Sequence, residues 1–343
     1  MGNEVVSIVS PCYNGEHYVS NFLDSVLAQD YPAVELIMID DGSTDDTRGV
    51  ITGYHDRFTQ RGYQLHYIYQ EHAGQSEAIN KGLQRFTGDY LTWFDSDDLL
   101  TPDSLSRRVT FLKEHPEYGF CCCNVAFVDE HDFDHVIFAW GNLPVATREE
   151  FFENIMFCRH ALFPDGYLVP SGNFLKLFPE RHIYPSPEGQ NWQLILPLAY
   201  HLDCGFMPEC LAKVVERTGS HSRMERTPRD WIERYAGQAE VLLNVLAGIK
   251  PRKLEQYEQT IKRYYTRQQL HMAPRTHDSA LGQKIYAQLC QLQEPGLHDR
   301  LAYAATRQQA VYALYTVASG IWRAARYGKQ LIGKVLRLLK LRR

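Results

Sequence analysis

The sequence predicts an α/β fold: a mostly parallel sheet flanked by helices, followed by a C-terminal helical extension. Three observations carry that expectation. Apolar, strand-like runs alternate with helix-like patterns four times in the first 115 residues, each of those runs ends in a polar cluster, and from Arg229 onward the apolar residues recur at helical spacing.

The first unit is Val5–Ser10, an apolar and β-branched run ending at Pro11, after which Tyr18, Phe22, Leu23, Val26 and Leu27 fall at helical spacing. The pattern repeats as Val34–Ile39 then Thr44–Tyr54, Gln64–Tyr69 then Gln75–Phe86, and Tyr90–Phe94 then Pro102–Glu114. Strands joined by helices run parallel, because each helix returns the chain to the edge where it started. In such sheets ligands lie beyond the carboxyl ends of the strands. Past Phe120–Val128 the periodicity is irregular to about residue 220, as expected of a wall facing an acceptor. Helical spacing then governs Trp231–Leu246, Leu254–Leu270 and Ala280–Leu292, with breaks near Pro274 and Pro295. The expected organisation is a domain over 1–222 (ligand-binding half 1–115, acceptor half 116–222), a helical extension over 223–320 and a basic tail over 321–343.

Composition bounds the function classes. Hydrophobic residues at 44% and charged residues at 22% are those of a folded globular chain. No stretch of about 18 apolar residues occurs, and Met1-Gly2-Asn3-Glu4 carries no basic, apolar leader, so a cytoplasmic protein is expected. The eight cysteines show no CxxC spacing and three are consecutive, which points to buried thiols rather than zinc or a disulfide framework. The eight Lys/Arg of residues 321–343, with no acid among them, turn the whole-chain charge of −5 into −13 for residues 1–320. In that tail Leu331, Ile332, Val335, Leu338 and Leu339 share a helical face. This suits an interfacial helix on an anionic membrane leaflet, or a docked helix with a solvated basic face. No aromatic-interleaved basic patch points to nucleic acid.

The chemistry-bearing residues sit at the four strand ends: Pro11-Cys12-Tyr13-Asn14-Gly15, then Asp40 through Thr47, then His72-Ala73-Gly74-Gln75-Ser76, then Asp95-Ser96-Asp97-Asp98. They are expected to converge on one rim. Three carboxylates on one turn repel unless a cation or solvent neutralises them, and a hard divalent ion that also meets a diphosphate compensates both charge sets. The other reading of Asp97 and Asp98 is a helix cap or a solvated turn. Ser43, Thr44 and Asp45 read as helix caps, but capping does not account for Asp40 and Asp41, of which at least one is expected to face the crevice. Tyr13 is placed to stack on a base or to pack.

Through these residues the sequence resembles family 2 glycosyltransferases of the GT-A type. The matching stretches are Val6–Asn14, Leu36–Thr47, Gly74–Gly82 and Gly88–Asp98, four motifs in register over roughly the first 115 residues. The resemblance implies inverting transfer from a nucleotide sugar, often a UDP-sugar, to a glycan or lipid-linked acceptor, with Mg²⁺ or Mn²⁺ on the diphosphate. Carried over, Pro11, Tyr13 and Asp41 contact the base, Gln75 and Asn80 line the donor pocket, Asp95 meets the ribose or sugar, Asn14, Asp40 and Ser96 count among the donor-binding residues, and Asp97 or Asp98 holds the metal. His221, in Gly219–Arg223, resembles a late histidine segment near the diphosphate and is a third metal candidate or a loop residue.

The family's catalytic base commonly lies in a Gly-Glu-Asp-Trp-like stretch opening a helix. Its counterpart here is Glu188-Gly189-Gln190-Asn191-Trp192. Gln190 and Asn191 are amides and cannot remove a proton at neutral pH, which leaves Glu188 as the candidate base. The alternative function is a non-catalytic nucleotide-sugar-binding or scaffold protein of the same fold. A nucleotidyltransferase or a dehydrogenase would need a Gly-rich phosphate loop after the first strand, and Pro11–Gly15 is not one.

Overall fold

The computed structural model describes residues 4–140, 147–157, 166–217, 225–308, 310–317 and 319–320. His221, Cys158 and the tail 321–343 lie outside the described residues. The chain divides into two units, one of residues up to 224 with 241–252, the other of 225–240 with the residues from 253 onward.

In the first unit the chain runs β1 (Val6–Cys12), α1 (Val19–Leu27), β2 (Val34–Asp41), α2 (Thr47–Gly53), α3 (His55–Arg61), β3 (Gln64–Gln70), α4 (Gln75–Leu83) and β4 (Tyr90–Trp93). It continues through β5 (Leu99–Leu100), α5 (Ser104–Glu114), β6 (Phe120–Asp129), β7 (Asp132–Trp140), α6 (Arg148–Met156), β8 (Tyr167–Pro170), α7 (Ser171–Leu177), α8 (Gln190–His201) and β9 (Cys204–Glu216). The sheet order is β3-β2-β1-β4-β8-β6-β9-β5, with β7 paired to β6. β3, β2, β1 and β4 are parallel neighbours, as the alternating sequence pattern requires. The irregular stretch beyond Phe120 supplies the rest: β8 runs antiparallel to β4 and β6, while β9 runs parallel to β6 over ten residue pairs interrupted by register shifts.

Register fixes where the site lies. Cys12 pairs with Asp40, Asp40 with Tyr69 and Asp41 with Gln70, so the carboxyl ends of β1, β2 and β3 finish level. β1 and β2 are buried almost throughout because both faces are covered. On one face α1 buries Val19, Phe22, Leu23 and Val26, and Phe22 stacks on Phe94 with ring centroids 5.5 Å apart. Burying such a side chain is worth about 1.5–3 kcal/mol. On the other face a Cβ at Gly82 would stand 2.3 Å from Val9 Cγ1 and 2.8 Å from Ile39 Cδ1, so the missing side chain lets α4 lie directly on β1 and β2.

One expected element changes. The helix anticipated from Thr44 begins at Thr47 and breaks at Tyr54, with α3 following. Thr44 cannot start it because its N–H and hydroxyl are both turned to Asn14 Oδ1, and Ser43 Oγ accepts the Asn14 N–H. Ser43 and Thr44 therefore tie two loops together and do not cap a helix. Of the described cysteines, Cys12, Cys121, Cys122 and Cys123 are buried, Cys204 and Cys210 are half-buried and Cys290 is exposed, all as free thiols. Burial pushes the Cys12 thiol up to about 12 and that of Cys123 up to about 11, which keeps both protonated.

The second unit is helical: the first part of α9 (Pro228–Ile249), α10 (Leu254–Met272), a 3₁₀ turn at Ala273–Thr276, α11 (Ser279–Leu292) and α12 (Leu297–Ala305). Pro274 marks the first break, as the sequence indicates. Ile232, Leu270, Ile285, Leu289 and Ala302 form its core. Within it the Asp299 carboxylate accepts bonds from Gly296 N–H, Arg267 and His271, which outweigh its burial and hold it below the usual carboxylate range.

Candidate active site

The four strand-end loops meet on one rim, and hydrogen bonds between them are the reason. The first loop joins the second through the Asn14–Ser43 and Asn14–Thr44 bonds, through Gly15 N–H to Thr47 Oγ1 at 2.6 Å, and through Glu16, which exchanges bonds with Asp45 and Asp46. Asn14 takes the left-handed backbone (φ 49°) that Asn tolerates better than most residues. The second loop joins the third through Asp41, and the third joins the fourth through Gln75, whose Nε2 donates to Asp95 Oδ1 at 3.0 Å.

Asp40 and Asp41 do not open onto the crevice. Asp40, 1% exposed, accepts from Ser43 N–H at 2.8 Å and from Tyr67 O–H at 2.6 Å. Asp41, 4% exposed, accepts from Gln70 Nε2 (2.6 Å), Ala73 N–H (2.9 Å) and Gly74 N–H (2.9 Å) on its carboxylate, and His72 Nδ1, bonded to the Asp41 carbonyl oxygen at 3.0 Å, lies 2.9 Å from Oδ2. Carboxylates this buried stay where backbone N–H groups need acceptors, so both act as loop anchors. Asn80 likewise turns inward. It is buried, and its amide exchanges bonds with the Ile183 backbone at 2.7 and 3.0 Å, fastening the segment before α8 to α4 instead of lining a pocket. Ser96 is buried against Cys12, where its hydroxyl meets the thiol.

The acidic turn is not a cluster of three like ligands. Asp98, 6% exposed, accepts the Val215 N–H of β9 on Oδ1 at 2.7 Å and pins the turn to the sheet. Asp97 receives both Nε (3.0 Å) and Nη2 (2.8 Å) of Arg217 on its Oδ2. Arg217 in turn lies over the Tyr18 ring, 4.0 Å from its centroid. Sequence reading missed Arg217. Its one signal is a cation directly after the long strand β9, and it sits 120 residues from its partner.

Whether a divalent cation fits is decided by this donor set. Among the described residues no group of three His, Cys, Asp or Glu side chains is placed to hold a metal ion. A cage built by these residues alone is therefore not formed. Asp97 suits another kind of site: with both Arg217 contacts on Oδ2, Oδ1 is left for a hard cation whose remaining ligands are water and substrate phosphate, the coordination Mg²⁺ prefers.

At the start of α8, Gln190 Nε2 donates to Gln75 Oε1 at 2.7 Å, and Gln75 passes the chain of bonds to Asp95. Glu188 is half-buried, two residues upstream, with its N–H on Ser186 Oγ, while the Ser186 carbonyl accepts from Ser76 Oγ. The structure thus brings Glu188 and Gln190 to the rim that carries Asp95. Tyr13, 45% exposed, lies on that rim with its ring 4.5 Å from that of His72. Pro11, half-buried, pairs with Ile39 just beneath it.

Four parallel strands with interlocked carboxyl-end loops, continued by antiparallel β8 into a mixed sheet flanked by helices, give the architecture of a GT-A-type domain. Residues 7–163, a little under half of the chain, match the family described as Glycosyl transferase family 2. The putative teichuronic acid biosynthesis glycosyltransferase TuaG of Bacillus subtilis is 37% identical over 111 residues, 32% of this chain and 42% of that protein. An uncharacterized glycosyltransferase of Rickettsia typhi is 34% identical over 110 residues, 32% of each chain. The chain therefore spans less than half the length of these curated relatives. The crystal structure of S. aureus TarS 1–349 with UDP-GlcNAc shares the fold, with a TM-score of 0.54 at 16% identity, covering 89% of this chain and 92% of that one. Among the described residues no helix is long and apolar enough to cross a membrane.

Proposed function

We propose that the first unit transfers a sugar from a nucleoside-diphosphate sugar, a UDP-sugar in this reading, to a glycan or lipid-linked acceptor with inversion at the anomeric carbon. The observation that carries the proposal is the Asp97–Arg217 pair, set where the loops of four strand ends meet. Tyr13 supports the base, Asp95 meets the ribose or sugar and is held in place by Gln75 and Gln190, and the Arg217 guanidinium faces the diphosphate. A divalent ion on Asp97, Mg²⁺ or Mn²⁺, would neutralise charge building on the departing diphosphate. Glu188 is the proton acceptor for the attacking hydroxyl, because Gln190 and Asn191 are amides. TuaG and TarS support the transferase class, and the UDP-GlcNAc complex of TarS supports a UDP-sugar. His221 stays a candidate diphosphate contact or metal ligand.

The test is thermal stabilisation by a panel of nucleotide sugars with and without Mn²⁺. A ligand bound by the native state alone, at 100 times its Kd, adds about 2.7 kcal/mol. A UDP-sugar is expected to raise the melting temperature, and more so with Mn²⁺. No shift from any nucleotide sugar would remove the proposal. The basic segment 321–343 completes the reading by holding the enzyme at an anionic leaflet where a lipid-linked acceptor resides. In a liposome flotation assay the full chain is expected to float with anionic vesicles and a chain stopped at Gly320 to stay behind; equal flotation of both would refute the role of the tail.

A further inference from the structure

An aspartate at the end of β2 would suit the imide N–H of a base, but its oxygens here already serve Gln70, His72, Ala73 and Gly74. One of those partners is exposed toward the rim. His72 has 59% of its side chain accessible, and its ring lies 4.5 Å from that of Tyr13, at 31° to it.

The tautomer of His72 follows from its contacts. Nδ1 lies 2.9 Å from Asp41 Oδ2 and 3.0 Å from the Asp41 carbonyl oxygen. Both are acceptors only, so Nδ1 donates, and in the Nδ1–H tautomer Nε2 presents a lone pair. The position of the ring is equally constrained. Gly42 has φ +77°, and a Cβ there would stand 2.6 Å from His72 N and 3.0 Å from its Cα, so the second loop closes directly on the His72 backbone.

We propose that His72, held by Asp41, reads the base of the donor by accepting a ring N–H on Nε2, selecting uracil or guanine over cytosine or adenine. This rests on the nucleotide-donor reading above. Uracil N3–H and guanine N1–H are donors, whereas the matching nitrogen of cytosine or adenine is an acceptor that would face the Nε2 lone pair. Asp41 is a positioning residue here: it sets the proton on Nδ1 and thereby makes Nε2 the acceptor. Tyr13 supplies stacking area and His72 supplies the choice.

Calorimetric binding of UDP, N3-methyl-UDP and CDP with Mn²⁺ tests this on the native chain and on His72→Phe and His72→Asn. A net hydrogen bond of this kind corresponds to roughly tenfold in affinity. The native chain is expected to bind UDP about tenfold more tightly than N3-methyl-UDP, and more tightly than CDP. His72→Phe keeps the ring and loses the acceptor, so it is expected to bind UDP and N3-methyl-UDP within about twofold of each other. His72→Asn, whose amide oxygen can accept, is expected to recover part of the preference. A methyl group excluded by bulk alone would be discriminated equally by native and His72→Phe proteins, and that result overturns the proposal, as does a native chain without preference. Failure of every nucleoside diphosphate to bind would overturn the nucleotide-donor reading as well, whereas tight UDP binding without His72 dependence would overturn only the role of His72.

Discussion

Asp97→Asn is expected to lower sugar transfer at least about 100-fold while leaving the unfolding free energy within about 1 kcal/mol of the native value. The asymmetry follows from the environment of the residue. The pair with Arg217 is partly open, 26% exposed on the Asp97 side and 22% on the other, so its loss costs folding little. Turnover suffers because an amide is a far weaker ligand for a hard cation and no longer offsets the guanidinium beside it. Steady-state release of nucleoside diphosphate, measured alongside urea unfolding, separates the two effects. Near-native turnover in Asp97→Asn would defeat the assignment of Asp97 to the diphosphate end of the site.

Asp41→Asn makes the same chemical change 56 residues earlier and is expected to act the other way round. The carboxylate accepts three hydrogen bonds and faces His72 Nδ1 at 2.9 Å, at 4% exposure. An amide keeps one acceptor oxygen and turns an NH₂ group toward N–H donors. At least one backbone N–H of the third loop is then left without its acceptor, at a cost of about 1–3 kcal/mol. We expect about 3 kcal/mol of destabilisation in total, visible as a lower urea midpoint at unchanged slope, together with weaker donor binding because His72 loses its anchor. Unchanged stability would show that these bonds do not hold the loop.

The contrast between the two aspartates shows what the sequence makes legible. The four units and the convergence of their ends follow from local pattern, because side-chain period and short connections leave few ways to build a parallel sheet. Hence Tyr13, Gln75, Asp95 and Asp97 stand on the expected rim. Partner choice is another matter. Asp41 is consumed by N–H groups 32 and 33 residues further on, Asn80 by Ile183, and Asp98 by Val215, so three polar residues that read as ligand contacts serve to fasten loops. Neither periodicity nor spacing encodes those pairings, which exist only once the third loop, the segment before α8 and β9 have folded against the strand ends. Arg217 went unseen for the same reason. The amides Gln190 and Asn191 depart from an acidic pattern, and the structure bonds Gln190 through Gln75 to Asp95.

The central claim is that Asp97, beside Arg217, meets a cation that arrives with the donor's diphosphate. Crystals grown with UDP and Mn²⁺ test it most directly, because manganese is located by its anomalous scattering. The account predicts an anomalous peak in direct coordination with an Asp97 oxygen and with the diphosphate of the bound nucleotide. Bound UDP whose diphosphate lies away from Asp97, with no manganese on that carboxylate, would contradict it.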